Sequence, residues 1–276
     1  RGIVAASMGS IGVFIFSIVL IGDIESTSLI EKKEAFSYVI LFSSFMVAFI
    51  GLLVLIFLKN SDEKSTTIEK SLNSLTNIKH VLKNESIWLL MLIIMCAYVG
   101  YKVTDIYSLY ASEVMFYDQI EAAEVGALQL YLRPIVCISI GLLADKTKNM
   151  FWIIFGFITM LIGALIFSFG VVKPGMNSIF FLSLIVLAVG TYSIRALYFA
   201  VLKEAKAPLA LTGTAVGLIS VVGYSPDIFA GPIMGYLLDN NPGIIGHQYV
   251  YLMLVIFSTI GLIASFRFAK LITKQG

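Results

Sequence analysis

Between Met150 and Gly170 the chain reads MFWIIFGFITMLIGALIFSFG, without a single charge. About twenty such residues, each rising 1.5 Å along a helix, are enough to cross the ~30 Å hydrocarbon core of a bilayer. Runs of this kind recur along the whole length. Lipid offers the backbone no hydrogen-bond partners, so they must close their own hydrogen bonds as helices. The roughly ten-residue alternation of a membrane β-barrel is absent. The fold class is therefore all-α, a polytopic membrane helical bundle. Composition agrees: 59% of the 276 residues are hydrophobic and 13% charged, against about 45–50% and about 25% in a soluble domain. Mean hydropathy is +0.94. A net charge of +2 leaves no electrostatic footprint for nucleic acid.

Apolar runs set against polar breaks predict about eight transmembrane helices, near residues 3–22, 36–58, 87–111, 124–144, 149–171, 178–202, 210–238 and 248–266. The seventh is too long for one straight crossing and holds Gly223, Pro226, Gly231 and Pro232, so it should be bent or broken. Three regions follow: helices in 1–58, a polar linker over 59–86 and six helices in 87–276. The second half of the linker reads as a short surface helix from Leu72 to Leu82. The chain opens on Arg1, with no Met and no signal-peptide pattern, and reads as a fragment whose beginning is missing.

Lysine and arginine placement sets the orientation. With the N-terminus cytoplasmic, thirteen bases fall in inside segments and three, Lys32, Lys33 and Lys173, fall outside. Both termini of this chain and the linker are then cytoplasmic. The remaining bases, Lys102, Arg133 and Arg195, lie within spans, as do Asp105 and Asp227. Each costs about 2.5–3.5 kcal/mol at a helix centre on insertion scales, so a bundle with no polar task would lose them.

In the third span, CAYVGYKVTDIYSLY, residues Tyr98, Lys102 and Asp105 share a helix face with Tyr101 beside them. They either line a cavity in which Lys102 meets an anionic group, or Lys102 and Asp105 neutralise each other. In the fourth, Gln129 and Arg133 share a face and Pro134 follows, which suggests a kink. Arg133 then either faces a cavity or snorkels to the outer surface. Asp227 is a proton carrier, the partner of an arginine, or a structural carboxylate held by backbone groups freed near Pro226. Three bases against two acids modestly favour an anionic cargo.

Cys96 and Cys137 sit in apolar runs and read as packing residues. His80 and His247 are far apart, with no ligand cluster near either. No nucleophile–base constellation or metal cluster appears, so the chain reads as no enzyme and as needing no cofactor or metal.

Between the fourth and fifth spans stands GLLADKTKNM, residues 141–150. It resembles the cytoplasmic loop motif of the major facilitator superfamily, roughly G-x-L-A-D-R-x-G-R-K. Gly141, Leu143, Ala144, Asp145 and Lys146 match, while Lys148, Asn149 and Met150 depart. The resemblance implies two six-helix bundles joined by a long cytoplasmic linker, with a degenerate copy of this motif between helices eight and nine. Linker and motif both fit if the eight spans are helices 5–12 of the major facilitator fold. The opening RGIVAASMGSIGVF and the stretch RALYFAVLKEAKAPLALTGTAVGLISVVGYSPDIFAGPIMGYLLD, residues 195–239, are similar to the anion and sugar-phosphate branch of bacterial inner-membrane permeases.

That resemblance implies a secondary active transporter moving a small polar, anionic solute, such as a sugar phosphate or sugar acid, by alternating access. The coupling partner would be a proton, Na⁺ or a counter-anion. The expected setting is the bilayer of a bacterial inner membrane, with a monomer as the working unit. Substrate-binding candidates are Lys102, Tyr98, Tyr101, Asp105, Gln129 and Arg133; gating or coupling candidates are Asp145, Lys146, Arg195 and Asp227. Arg195 is expected to couple to the Asp145 loop, with direct anion binding or snorkelling as its other roles, and Lys102 to touch the cargo. A proton-driven efflux carrier for amphipathic compounds and a transporter-like sensor are the competing functions.

Overall fold

The computed structural model describes residues 29–57, 74–198, 200–203 and 212–275. The chain divides into two compact units, Arg1–Ser71 and Leu72–Gly276. Among the described residues of the first unit there is one helix, α1 (Leu29–Phe57). Its Ser37–Phe57 stretch is long and apolar enough to cross a membrane. The span expected near 3–22 lies outside the described residues.

The second unit holds α2 (Ser74–Leu82), α3 (Glu85–Val103), α4 (Tyr107–Glu113), α5 (Gln119–Asp145), α6 (Asn149–Ser168), α7 (Asn177–Leu197), α8 (Thr212–Gly223), α9 (Pro226–Asn240) and α10 (Ile244–Gln275). They form six membrane-capable crossings, which with α1 make seven among the described residues. The protein is thus an all-α polytopic membrane bundle. The helix expected within the linker is α2, and it belongs to the second unit.

Helix starts follow local chemistry. Asn84 caps α3 by accepting from the Ser86 N–H at 2.9 Å. Asp118 and Glu121 form a reciprocal capping box at α5, in which each side chain satisfies one otherwise orphaned backbone donor. Helix α5 stays continuous through Pro134; that proline lacks the N–H that would bond the Leu130 carbonyl one turn back. The sixth crossing ends sooner than its apolar run suggests, at Leu197, and a 3₁₀ turn follows at Ala200–Lys203.

Two crossings are broken. The seventh splits as its prolines demand: α8 stops at Gly223, and α9 restarts with Pro226 in its first turn. The third splits with no proline or glycine at the break. There a 3₁₀ turn at Thr104–Ile106 separates α3 from α4, and the Thr104 hydroxyl donates to the Tyr101 carbonyl at 2.7 Å.

Helices α6 and α7 pack closely because small residues meet there. A Cβ on Gly190 would lie 2.5 Å from the Met160 backbone nitrogen and 2.7 Å from the Gly156 carbonyl oxygen. Lipid supplies no hydrophobic drive between helices, so such close backbone contact is what holds them. The end of the bundle that carries Glu113 is closed by aromatics. Tyr110 packs edge-on against Phe167, His247 and Tyr251, and buried His247 meets the Glu113 carboxylate at 2.9 Å.

Candidate functional site

The two helix breaks bring together residues that the sequence scatters over 129 positions. The Tyr98 hydroxyl on α3 donates to Asp227 Oδ2 at 2.9 Å. Lys102 Nζ lies 2.9 Å from Asp105 Oδ2 and 3.7 Å from Asp227 Oδ1. The 3₁₀ turn assists the first pair, because side chains at i and i+3 eclipse in that geometry. The break before α9 serves the second, placing Asp227 in the first turn of a helix, where the positive end of the helix dipole favours a carboxylate. Lys102 is thus engaged by both carboxylates of the membrane interior, which are about half exposed (54% and 52%).

Tyr101, one residue before Lys102, faces the arginines. The Arg195 guanidinium carbon lies 3.7 Å from the centre of its ring, and that of Arg133 lies 5.4 Å away. Arg195 is also 5.4 Å from the Tyr98 ring. The tyrosines themselves form a run, with Tyr98–Tyr101 ring centres 5.5 Å apart and Tyr98–Tyr224 edge-on at 4.9 Å. Tyr224 reaches Tyr198 hydroxyl to hydroxyl at 3.2 Å. No carboxylate stands within 4 Å of Arg133 or Arg195 among the described residues. Nη1 of Arg195 is buried without a hydrogen-bond partner among the described residues.

Beside Tyr101 opens a cavity of about 210 Å³, lined by Tyr101, Thr104, Asp105, Ser108, Gly126, Gln129, Leu130, Arg133 and Tyr192. Gln129 is buried; its carbonyl oxygen accepts from the Tyr192 hydroxyl at 3.3 Å, and its amide nitrogen has no partner. The cavity wall therefore offers a cation, an amide donor and tyrosine edges, together with the Asp105 carboxylate that Lys102 holds.

Of the residues expected to touch cargo, Tyr101, Asp105, Gln129 and Arg133 line this cavity, whereas Tyr98 and Lys102 lie toward Asp227. Asp145 and Lys146 are exposed at the end of α5. The loop after them is ordered by Thr147, whose hydroxyl donates to the Leu143 carbonyl and accepts from the Trp152 indole. Arg195 forms no ion pair with Asp145; its guanidinium sits on Tyr101 instead. Tyr192 and Tyr224 join the cluster unforeseen. Tyr192 stands three residues before Arg195, a spacing that puts both on one helix face.

No family model matches the chain, and no solved structure does. Two curated proteins of Escherichia coli (strain K12) are similar to it. Inner membrane protein YihN is 25% identical over 247 residues, covering 85% of this chain and 57% of that protein. Inner membrane protein YqcE is 25% identical over 261 residues, covering 92% and 59%. The chain therefore spans less than two thirds of either relative. Both relatives are named as membrane proteins, not as enzymes, in keeping with the seven membrane-capable helices.

Proposed function

We propose that this chain forms part of a secondary active transporter of the major facilitator type, carrying a small anionic solute such as a sugar phosphate or sugar acid across a bacterial inner membrane. On this reading its crossings correspond to helices 5–12 of that fold, with the base-rich end cytoplasmic, and two bundles rock about the polar cluster to expose it to each side in turn. The six crossings after a polar linker and the GLLADKTKNM loop between α5 and α6 support the assignment. The similarity to inner membrane proteins supports the location.

One observation carries the choice of cargo. Both carboxylates of the membrane interior are engaged by Lys102, while Arg133 and Arg195 converge on Tyr101 with no acid within 4 Å among the described residues. Charges in a membrane interior pair or serve a ligand; Arg133 on the cavity wall and Arg195 on Tyr101, neither with an acid partner among the described residues, fit an anionic solute. Guanidinium also binds carboxylate or phosphate through paired donors. Cargo contact thereby moves from Lys102, the residue favoured by sequence, to the arginines.

The test is uptake of labelled sugar phosphates and sugar acids by the full-length protein in proteoliposomes, compared with Arg133→Gln and Arg195→Gln variants. At least one anion should accumulate, and each variant should lose tenfold or more of that rate, the scale set by about 1.4 kcal/mol. A protein that moves only neutral or cationic amphiphiles, at rates the variants keep, overturns the reading. The second reading is proton-driven efflux with Asp227 as the proton site, which would have to release Lys102 on protonation; Asp227→Asn would then uncouple export from the proton gradient.

A further inference from the structure

Charge is divided unevenly between the two ends of the second unit. Among the described side chains, the end where α5 finishes and α6 begins carries Lys79, Lys83, Lys146, Lys148, Arg267, Lys270 and Lys274 against Glu85 and Asp145. The other end carries Lys173 against Glu113, Asp118, Glu121, Glu124 and Asp239. Both tryptophans of the chain lie at the base-rich end, each with its indole N–H bonded to a polar group at 2.7 Å: Trp88 to the Leu82 carbonyl and Trp152 to Thr147 Oγ1. Tryptophan so placed marks the level of the headgroups.

Helix α2 lies at that level. Val81 is buried, and Ile78 and Leu82 are half-buried against the bundle, while Lys79, His80 and Lys83 are exposed. Lys79 lies in the last turn of α2 and Lys83 in the turn that closes it, where its N–H donates to the His80 carbonyl at 3.3 Å. Trp88, 52% exposed, closes the end of the same helix through the Leu82 carbonyl. Two exposed lysines at the end of α2, beside a half-exposed indole bonded to that same end, thus form a short basic shelf at headgroup depth. Glu85, which follows one residue after Asn84, is itself taken by Arg267 at 3.1 Å.

We propose that this shelf is a binding site for an anionic phospholipid, with Lys79 and Lys83 on the phosphate and glycerol headgroup and Trp88 against the first part of the acyl chain. A basic side chain near an anionic membrane surface contributes attraction that falls off within a Debye length. The shelf adds to this general field a local pair of donors at the end of one helix and in the turn that closes it. It sits apart from the Tyr101 cluster, so the site stands whether or not the chain carries an anion.

The test uses Trp88 as its own reporter. The full-length protein with Trp152→Phe, leaving Trp88 as the sole indole of this sequence, is reconstituted in phosphatidylcholine vesicles. A small mole fraction of either dibrominated phosphatidylglycerol or dibrominated phosphatidylcholine is included. Brominated phosphatidylglycerol should quench Trp88 several-fold more efficiently. Lys79→Gln/Lys83→Gln should bring the two lipids to equality while leaving the phosphatidylcholine quenching unchanged, which shows that the helix is still seated. Lys270→Gln/Lys274→Gln should retain the preference. Equal quenching in the parent protein overturns the site, as does a preference that survives the first pair of substitutions or falls equally with the second.

Discussion

The Arg195 guanidinium rests 3.7 Å from the centre of the Tyr101 ring, and the ring, not a carboxylate, is what holds it. Cation–π attraction is worth roughly 0.5–2 kcal/mol, more as water is excluded. The ring face supplies it, so the hydroxyl should be dispensable: Tyr101→Phe should keep anion affinity within about twofold. Tyr101→Leu should weaken it about tenfold, on the order of 1.4 kcal/mol. Isothermal titration of the purified protein with an anion that passes the proteoliposome uptake test measures both.

Lys102 lies between Asp105 and Asp227 and holds two acids near one point. Lys102→Gln should lower the unfolding temperature more than Asp227→Asn, because Asn keeps an oxygen to accept from Tyr98 while Gln leaves two carboxylates facing each other. Both acids are about half exposed, so the difference should be about 1 kcal/mol or less. Thermal unfolding in detergent at neutral pH tests the order, and the Lys102→Gln/Asp227→Asn double variant should recover part of the loss.

Gly190 admits no Cβ without displacing α6 backbone. Gly190→Ala should therefore destabilise by about 1–3 kcal/mol, as overpacking does. Gly217, within α8 and with nothing within 4 Å of its would-be Cβ, should behave oppositely. Its alanine variant should be neutral or gain up to about 1 kcal/mol from helix propensity. Paired unfolding curves of the two variants separate packing from propensity.

The crossings of the second unit could be read from the sequence because each apolar run is bounded by charges or by a Pro-Gly turn, as at Pro174–Gly175 and Pro242–Gly243. The break in the seventh was equally plain, since proline cannot donate to the preceding turn. The break at Thr104–Ile106 was not, because nothing in VTDIY forbids a helix. It depends on a threonine hydroxyl turning to the Tyr101 carbonyl and on Lys102 meeting Asp105 across the tighter turn, both matters of side-chain choice. Arg195 posed a different difficulty. Its helix is apolar, small or aromatic on nearly every side, so no polar stripe fixes its rotation. Distance along the axis allowed the Asp145 loop, while rotation turns the guanidinium toward Tyr101. Gln129 and Arg133 could be recognised because both project from one side of α5, next to a proline.

The unequal ends of the bundle also bear on how the protein meets an energised membrane. Moving one charge through 100 mV is worth about 2.3 kcal/mol, and an interior-negative potential drives acids outward and resists the passage of bases. Glu113, Asp118, Glu121, Glu124 and Asp239 would cross with the field, while Lys79, Lys83, Arg267, Lys270 and Lys274 would stay behind. A membrane potential of that sign therefore favours the insertion that places the base-rich end inside.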